Sequence, residues 1–278
     1  MIVDDSDIRV IKSTYNKKFR EIIMDFLFSN KYVHSDLNRI TKLHDFVIDK
    51  KSMEYKNNIE NDRMSYGFTT FSKCFYDFTE TNKFQSVYTN FLLSLYKTLG
   101  VDFYFQSFPN IRVHFPNKSA KETYPFYHTD RQLGHPPSEI NLWMPLSDNK
   151  NCTFTILSHK DSLSNLKEID YDYEKLADKS LLDKEWNRLC FEKSIHIDGE
   201  SGICDNSSFC IFNNVRIHSV IPSETESRLS IDIRIVPVEN FDFDNKFTGK
   251  GRVAAEWWPG GKSGYYSKSI GEIKNELD

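Results

Sequence analysis

The sequence of 278 residues predicts a mainly β fold with flanking helices, in which an N-terminal helical part supports a two-sheet antiparallel roll. Three observations carry this. Apolar residues recur at steps of three and four before Gly100 and at steps of two beyond Val101. Roughly eight to ten short strand candidates follow the change of period, enough for two sheets packed face to face. Aromatic residues make up 14% of the chain, with 22 Phe and 14 Tyr, so large rings that suit a pleated surface dominate the candidate core.

Taken in order, Tyr15, Phe19, Ile22, Ile23, Phe26 and Leu27 lie along one helix face, and Leu37, Ile40, Leu43 and Val47 repeat the spacing. Phe84, Val87, Phe91, Leu95 and Leu99 form a third stripe, with Gly100 as its stop. All three are read as core packing. Asp102 to Ser107 and Ile111 to Phe115 then alternate, with Pro109-Asn110 as a turn between them. Further strands are expected at Tyr124 to Thr129, Glu139 to Leu146, Cys152 to Leu157, Ser194 to Ile197, Ser208 to Phe212, Val215 to Val220 and Leu229 to Val238. Between them, Leu176, Leu181, Leu182, Trp186 and Leu189 mark a helical insertion over 171–191. No repeat or low-complexity linker divides the chain. It is read as one domain over 1–278: helical support over 1–100, a β-roll core over 101–240, and a C-terminal wrap or lid over 241–278.

The net charge is −4, and acidic and basic residues are mixed along the whole length, so no duplex-binding footprint is visible. The five cysteines show no C-x-x-C and no regular spacing, which points to reduced thiols. Met1 to Asp7 lacks the basic-then-apolar order of a signal peptide, and no apolar run approaches the ~20 residues needed to span a bilayer. A soluble, cytoplasmic protein with a small-molecule substrate is expected, with neither nucleic acid nor membrane as partner. Nothing in the sequence sets the oligomeric state.

The chemistry is concentrated in His128-Thr129-Asp130, His218 and Arg228-Leu229-Ser230. Residues two apart in a strand face the same side, so His128 and Asp130 can bind one metal. Two imidazoles and a carboxylate on one face of an Fe(II) octahedron leave three positions for a bidentate 2-oxo acid and dioxygen. Pro222 to Thr225 is turn-forming, and a hairpin centred near Ser223 makes His218 and Arg228 cross-strand neighbours roughly 5 Å apart at the backbone. Arg228 could then grip the far carboxylate of 2-oxoglutarate bidentately. Arg234 competes for that role, but six residues of strand place it about 20 Å further along than Arg228, too far for a co-substrate on the same iron unless the hairpin loop is longer. Arg228, Ser230, Asp232 and Arg234 share one face of this strand, and Leu229, Ile231, Ile233 and Ile235 share the other.

These residues resemble the Fe(II)/2-oxoglutarate-dependent dioxygenases, and more narrowly their phytanoyl-CoA-hydroxylase-like branch. Asn141-Leu142-Trp143-Met144-Pro145-Leu146 and Thr155-Ile156-Leu157-Ser158-His159 are similar to that branch's Trp-containing strand and its Pro-Gly-Ser-His segment, with Ile156-Leu157 standing where the family has Pro-Gly. Gly134 to Asn141 also resembles hydroxylases of the streptomycin-biosynthesis type. The resemblance covers about residues 110 to 240. It implies a double-stranded β-helix (jelly-roll, cupin-like), Fe(II) on His128, Asp130 and His218, and 2-oxoglutarate anchored by Arg228. It also implies oxidative decarboxylation with dioxygen, giving succinate, carbon dioxide and an oxidant for an unactivated C–H bond. Halogenating relatives carry a small residue at the position of Asp130, so its retention implies hydroxylation, with desaturation or ring closure as variants.

Ser230, Asn141 and Trp143 are further candidates for the 2-oxoglutarate pocket, Trp143 alternatively being plain core. Arg112, His114, Arg131, His135 and Trp143 are candidates for contact with the prime substrate, which is read as a small polar metabolite of natural-product type. His34, His44, His159 and His196 are read as structural. Trp257 to Tyr266 forms an aromatic, Gly-rich tail, either a lid or a terminal wrap. Two competing readings remain: a nucleic-acid alkylation-repair dioxygenase, suggested by the Arg-x-Ser-x-Asp-x-Arg spacing of 228–234, and a non-catalytic β-roll binding module.

Overall fold

The computed structural model describes residues 8–34, 40–48, 58–60, 63–65, 70–116, 128–130, 138–148, 153–168, 200–201, 203–221, 223, 225–240 and 266–277. In chain order the strands are β1 (Arg9–Lys12), β2 (Asn58–Glu60), β3 (Arg63–Ser65), β4 (Phe103–Gln106), β5 (Asn110–His114), β6 (Ile140–Pro145), β7 (Thr153–Ile156), β8 (Glu200–Ser201), β9 (Ser208–Asn213), β10 (His218–Ile221), β11 (Arg228–Pro237) and β12 (Tyr266–Ser269). The α-helices are α1 (Tyr15–Ser29), α2 (Leu43–Phe46), α3 (Thr70–Thr79), α4 (Asn82–Leu99), α5 (His159–Glu168) and α6 (Ile270–Leu277). Among the described residues no helix is long and apolar enough to cross a membrane.

A seven-stranded antiparallel sheet runs in the order β1-β9-β6-β11-β4-β12, with β5 also paired to β11. The period-two sequence of β11 gives this sheet two unlike faces. Leu229, Ile231, Ile233 and Ile235 are fully buried, and with Leu142, Met144, Phe209 and Ile211 they form a continuous apolar surface. The helices α1 and α4 cover it with Phe19, Ile23, Leu27, Phe84, Tyr88, Phe91 and Leu95. The rings interlock edge to face, Phe19 against Phe91 at 5.8 Å and Phe91 against Phe209 at 5.5 Å between centroids. Each such ring contributes about 1.5–3 kcal/mol by leaving water. The opposite, polar face looks toward a three-stranded sheet of order β10-β7-β8. Trp143 from the large sheet stacks on Phe154 from the small one at 4.6 Å, closing the space between them with Ile156, Cys210 and Phe212.

Several elements differ from expectation. The stripe through Ile40, Leu43 and Val47 forms only a 3-10 turn and the single turn of α2, because Val47 turns extended and bridges Val33. Leu37 lies outside the described residues. The turn expected at Pro109-Asn110 is shorter, Asn110 already opening β5, and it joins strands that lie end to end along β11, β4 pairing with Ile235–Pro237 and β5 with Arg228–Asp232. Val215 to Ile217 is loop, and the strand begins at His218. The strands β1 and β12 are too short to show a period, and α6, whose Ile270, Ile273 and Leu277 do recur at steps of three and four, lies in the tail read as a wrap or lid; none of the three is expected from the sequence. The expected strands at Tyr124–Tyr127 and Ser194–Ile197, the helical insertion over 171–191 and the tail over 241–265 lie outside the described residues.

Thr81 caps α4 by accepting from the Phe84 N–H at 3.3 Å, and Gly100 ends it at φ +71°. A Cβ at Gly100 meets nothing within 4 Å, so Gly100→Ala carries only the left-handed backbone penalty, about 1 kcal/mol. Phe84→Ala empties the core and is expected to cost about 3–5 kcal/mol. Urea denaturation of both variants checks the contrast, and equal losses would contradict it.

Candidate metal centre

His128 and His218 are brought together by their own backbones. The His128 N–H donates to the His218 carbonyl at 3.0 Å and the His218 N–H donates back at 2.9 Å. This doubly bonded antiparallel pair sets the two rings side by side, 4.5 Å between centroids. Asp130, two residues on, turns into the same space, its Oδ1 lying 3.8 Å from Nε2 of both imidazoles. All three groups are buried, and their ligand atoms lie within 4.8 Å of one another. The sequence-predicted ligand set is thus assembled.

Surrounding groups prepare each ligand. His218 Nδ1 lies 2.9 Å from the Arg216 carbonyl. A carbonyl only accepts, so Nδ1 carries the proton and Nε2 presents its lone pair to the centre. Burial holds the His218 pKa below its ordinary value against the pull of Asp130, which keeps the ring neutral as ligation requires. Asp130 Oδ2 accepts from Arg234 Nε at 3.0 Å and Nη2 at 2.8 Å, leaving Oδ1 to face the space it shares with the two Nε2 atoms. Glu139, fully buried, lies 3.4 Å from the same guanidinium. Two imidazoles plus one carboxylate, with no thiolate, fit a borderline divalent ion such as Fe(II).

Two expectations about the arginines are corrected. His218 and Arg228 are not cross-strand neighbours, because β10 pairs with β7 in the small sheet while Arg228 opens β11 in the large one, opposite His114. The segment between them crosses from sheet to sheet, with the Ser223 hydroxyl accepting from the Thr225 and Glu226 N–H groups. Nor is Arg234 remote from the metal set: it holds a ligand carboxylate directly. The distance expected from the sequence assumes a hairpin that does not form.

Arg228 is 1% exposed and its Nη2 donates to Ser230 Oγ at 3.3 Å, so the Arg-x-Ser spacing is a contact. The guanidinium sits 5.4 Å over the Trp143 ring, and Phe154, stacked on Trp143, lies 5.6 Å from the His218 ring. An unbroken line of packed side chains therefore joins Arg228 to the metal set. His114 is buried beside Arg228, and burial, then Arg228 and Arg112, depress its pKa well below the usual histidine range. Arg112 pairs with Asp232 at 2.5 Å, both partly exposed. Asn141, opposite Arg234 on β6, is 5% exposed, and among the described residues neither of its amide atoms has a hydrogen-bond partner. The Trp143 Nε1–H is buried without an acceptor among them as well. Unmet buried polar groups cost about 1–3 kcal/mol each, so a polar guest is their natural complement. Arg131 and His135 lie outside the described residues.

Glu139, Arg216 and Ser162 are parts of the surroundings that the sequence does not advertise, since each acts through a contact with another element. His44, read as structural, bonds Ser227 Oγ through Nδ1 at 2.7 Å, directly beside Arg228. Of the cysteines, Cys74, Cys204 and Cys210 are reduced, and burial pushes Cys74 up to about 12 and Cys210 well above its ordinary value.

Two outcomes follow from this electrostatic arrangement. Arg234→Ala is expected to weaken divalent-metal binding by about 10–100-fold, read by calorimetric titration, because the carboxylate loses its orienting partner. His114 stays neutral when folded but takes a proton when unfolded below about pH 6.5. Its contribution is therefore present above that pH and lost as pH falls through it. Urea midpoints measured on both sides of that pH should diverge less for His114→Gln than for the wild type, and an identical divergence would show that His114 does not set the pH dependence of stability.

No family model matches the chain. A streptomycin biosynthesis protein, StrG of Streptomyces griseus, is 46% identical over 44 residues, 16% of this chain and 21% of that protein. The chain thus matches about a fifth of the length of this curated relative. Among solved structures, the non-haem monooxygenase ThoJ in its nickel complex is similar at 13% identity, covering 57% of this chain and 55% of that one, TM-score 0.35. EctD of S. alaskensis with bound iron is similar at 12% identity over 85% of this chain and 75% of that one, TM-score 0.41. The α-ketoglutarate-dependent carbocyclase SnoK of nogalamycin biosynthesis is similar at 10% identity over 84% and 80%, TM-score 0.40. Likenesses of this size do not assign chemistry, which rests on the side chains described above.

Proposed function

We propose that the chain is a non-haem Fe(II)/2-oxoglutarate-dependent oxygenase, a hydroxylase of a small polar metabolite built on a jelly-roll, double-stranded β-helix. The observation that carries the reading is the buried set His128, Asp130 and His218, with the second oxygen of Asp130 held by Arg234. Two antiparallel sheets facing each other across Trp143 and Phe154 support the fold part of it.

In this reading His128, Asp130 and His218 hold Fe(II). Arg228, steadied by Ser230 and by the face of Trp143, takes the far carboxylate of 2-oxoglutarate. The unmet amide of Asn141 serves the same co-substrate. Arg234, already donating to Asp130 from Nε and Nη2, is read as the partner of that ligand and not as the anchor. Trp143, Phe154 and Phe212 keep water from the space between the sheets. When bound, the iron and its co-substrate supply oxidative decarboxylation with dioxygen, giving succinate and carbon dioxide with oxidation of a C–H bond. Arg112 and His114, together with Arg131 and His135 beyond the ligand triplet, are proposed to meet the prime substrate. The 44-residue likeness to a streptomycin biosynthesis protein supports a natural-product setting.

Succinate formation from 2-oxoglutarate by Fe(II)-loaded protein in air is the test, with candidate substrates screened for enhanced turnover. His128→Ala should abolish it. Arg228→Ala removes a charge-assisted contact of about 3 kcal/mol and should raise the KM for 2-oxoglutarate by ~10²-fold. A wild-type protein that binds neither Fe(II) nor 2-oxoglutarate ends the proposal.

A further inference from the structure

We infer that Ser162, on the helix α5, is a positioning residue that sets the tautomer and direction of the ligand His218 through the peptide plane joining Arg216 to Ile217. The inference rests on the metal-centre reading above and adds to it a residue that touches neither metal nor substrate.

Residues 216 and 217 share one rigid planar amide, with its carbonyl and N–H pointing in opposite directions. The carbonyl, that of Arg216, accepts from His218 Nδ1 at 2.9 Å. The N–H, that of Ile217, donates to Ser162 Oγ at 3.0 Å. Fixing the N–H end of such a plane aims its carbonyl end. The hydroxyl is itself fixed, since it donates to the Ser158 carbonyl at 2.8 Å and so keeps a lone pair toward Ile217. Ser162 is fully buried, which excludes water as a substitute acceptor.

The rest of the region holds this plane from its flanks. Arg216, 2% exposed, anchors its own backbone by donating from Nε to the Leu157 carbonyl at 2.7 Å. The Leu157 N–H returns a bond to the Ile217 carbonyl at 2.8 Å. Ser158, where the chain enters α5, accepts from the Asp161 N–H at 3.0 Å and donates to its carboxylate at 2.6 Å, which holds the first turn of the helix in place. A helix that lies outside both sheets is thereby tied to the Nδ1 proton of a metal ligand. Without the Ser162 oxygen, the Ile217 N–H is left buried and unmet, and rotation of the plane to find another partner swings the Arg216 carbonyl off Nδ1. The imidazole then samples both tautomers, and the Nε2 lone pair is no longer guaranteed to the centre.

The test compares wild type, Ser162→Ala, Ser162→Thr and, on the exposed side of the same helix, Ser164→Ala. Long-range proton–nitrogen correlation spectra of the metal-free, histidine-labelled protein read the tautomer, and calorimetric titration with Co(II) reads ligation without turnover. Wild type, Ser164→Ala and Ser162→Thr should show His218 as a single Nδ1–H form. Ser162→Ala should show a mixture and bind Co(II) about 10–100-fold more weakly, as is typical when a partner behind a ligand is lost. If Ser162→Ala lowers Tm but keeps the single tautomer, Ser162 merely docks the helix and the inference is wrong. Absence of Co(II) binding in the wild type would overturn the metal centre, and the tautomer spectra would still decide the role of Ser162.

Discussion

The alternation of strand β11 from Arg228 to Ile235 is the constraint on which the rest of the molecule depends. Its apolar side chains meet the helices, and its polar ones meet the space between the sheets. A slip of one residue in its pairing with β6 would drive Arg228 and Arg234 into the phenylalanine-rich core and expose four aliphatic side chains to the metal set. Register is therefore enforced from both sides, by hydrophobic burial on one and by charge on the other. This explains how so polar a row can be so deeply buried, with Arg228, Ser230 and Arg234 each under a tenth exposed.

Much of the candidate site is legible in the sequence, for reasons that can be stated residue by residue. His128 and Asp130 are two apart, and both face one centre, although only His128 makes a β-bridge and Asp130 already opens a helical turn, so the strand expected there is not what aligns them. The alternation of β11 is local, so both of its faces can be read without knowing their partners. What fails is what depends on which strand lies beside which. The segment between His218 and Arg228 has the composition of a hairpin turn, yet it carries the chain from one sheet to the other. Turn-forming residues specify that the chain bends, and long-range pairing decides where it goes next. The same ambiguity hides the place of Arg234, whose contact with Asp130 joins residues far apart in sequence. The Pro109-Asn110 segment repeats the lesson: a bend between two strands aligns both along β11 instead of pairing them with each other.

The groups behind the ligands are invisible in the sequence for a second reason. The Arg216 carbonyl and the Ile217 N–H are main-chain atoms, common to every residue, and their roles follow from orientation alone. Ser162 resembles any serine in a polar helix until its hydroxyl is found facing Ile217. Sequence patterns report side-chain periodicity well because burial selects it. They report hydrogen bonds to the backbone poorly, because many side chains at many positions could make them.

The buried charges would link the proposed metal centre to the proposed co-substrate site. Asp130 and Glu139 flank Arg234, so this inner group carries one excess negative charge, a sign that favours a divalent cation. Binding one would reverse the excess to a single positive charge. A dianionic 2-oxo acid would reverse it again, and the cation of Arg228, further along the same strand face, would bring the whole to neutrality. Burying these groups together is tolerable only when their charges cancel, since an isolated ion in a low-dielectric interior costs several kcal/mol. Under the proposed function, ordered binding then follows from electrostatics: the cation first makes the inner site attractive to the dianion, and Arg228 holds its outer end. Under that proposal, the two arginines six residues apart on one strand face, one paired with Asp130 and one with a hydroxyl and an indole, would counter the inner and the outer charge separately.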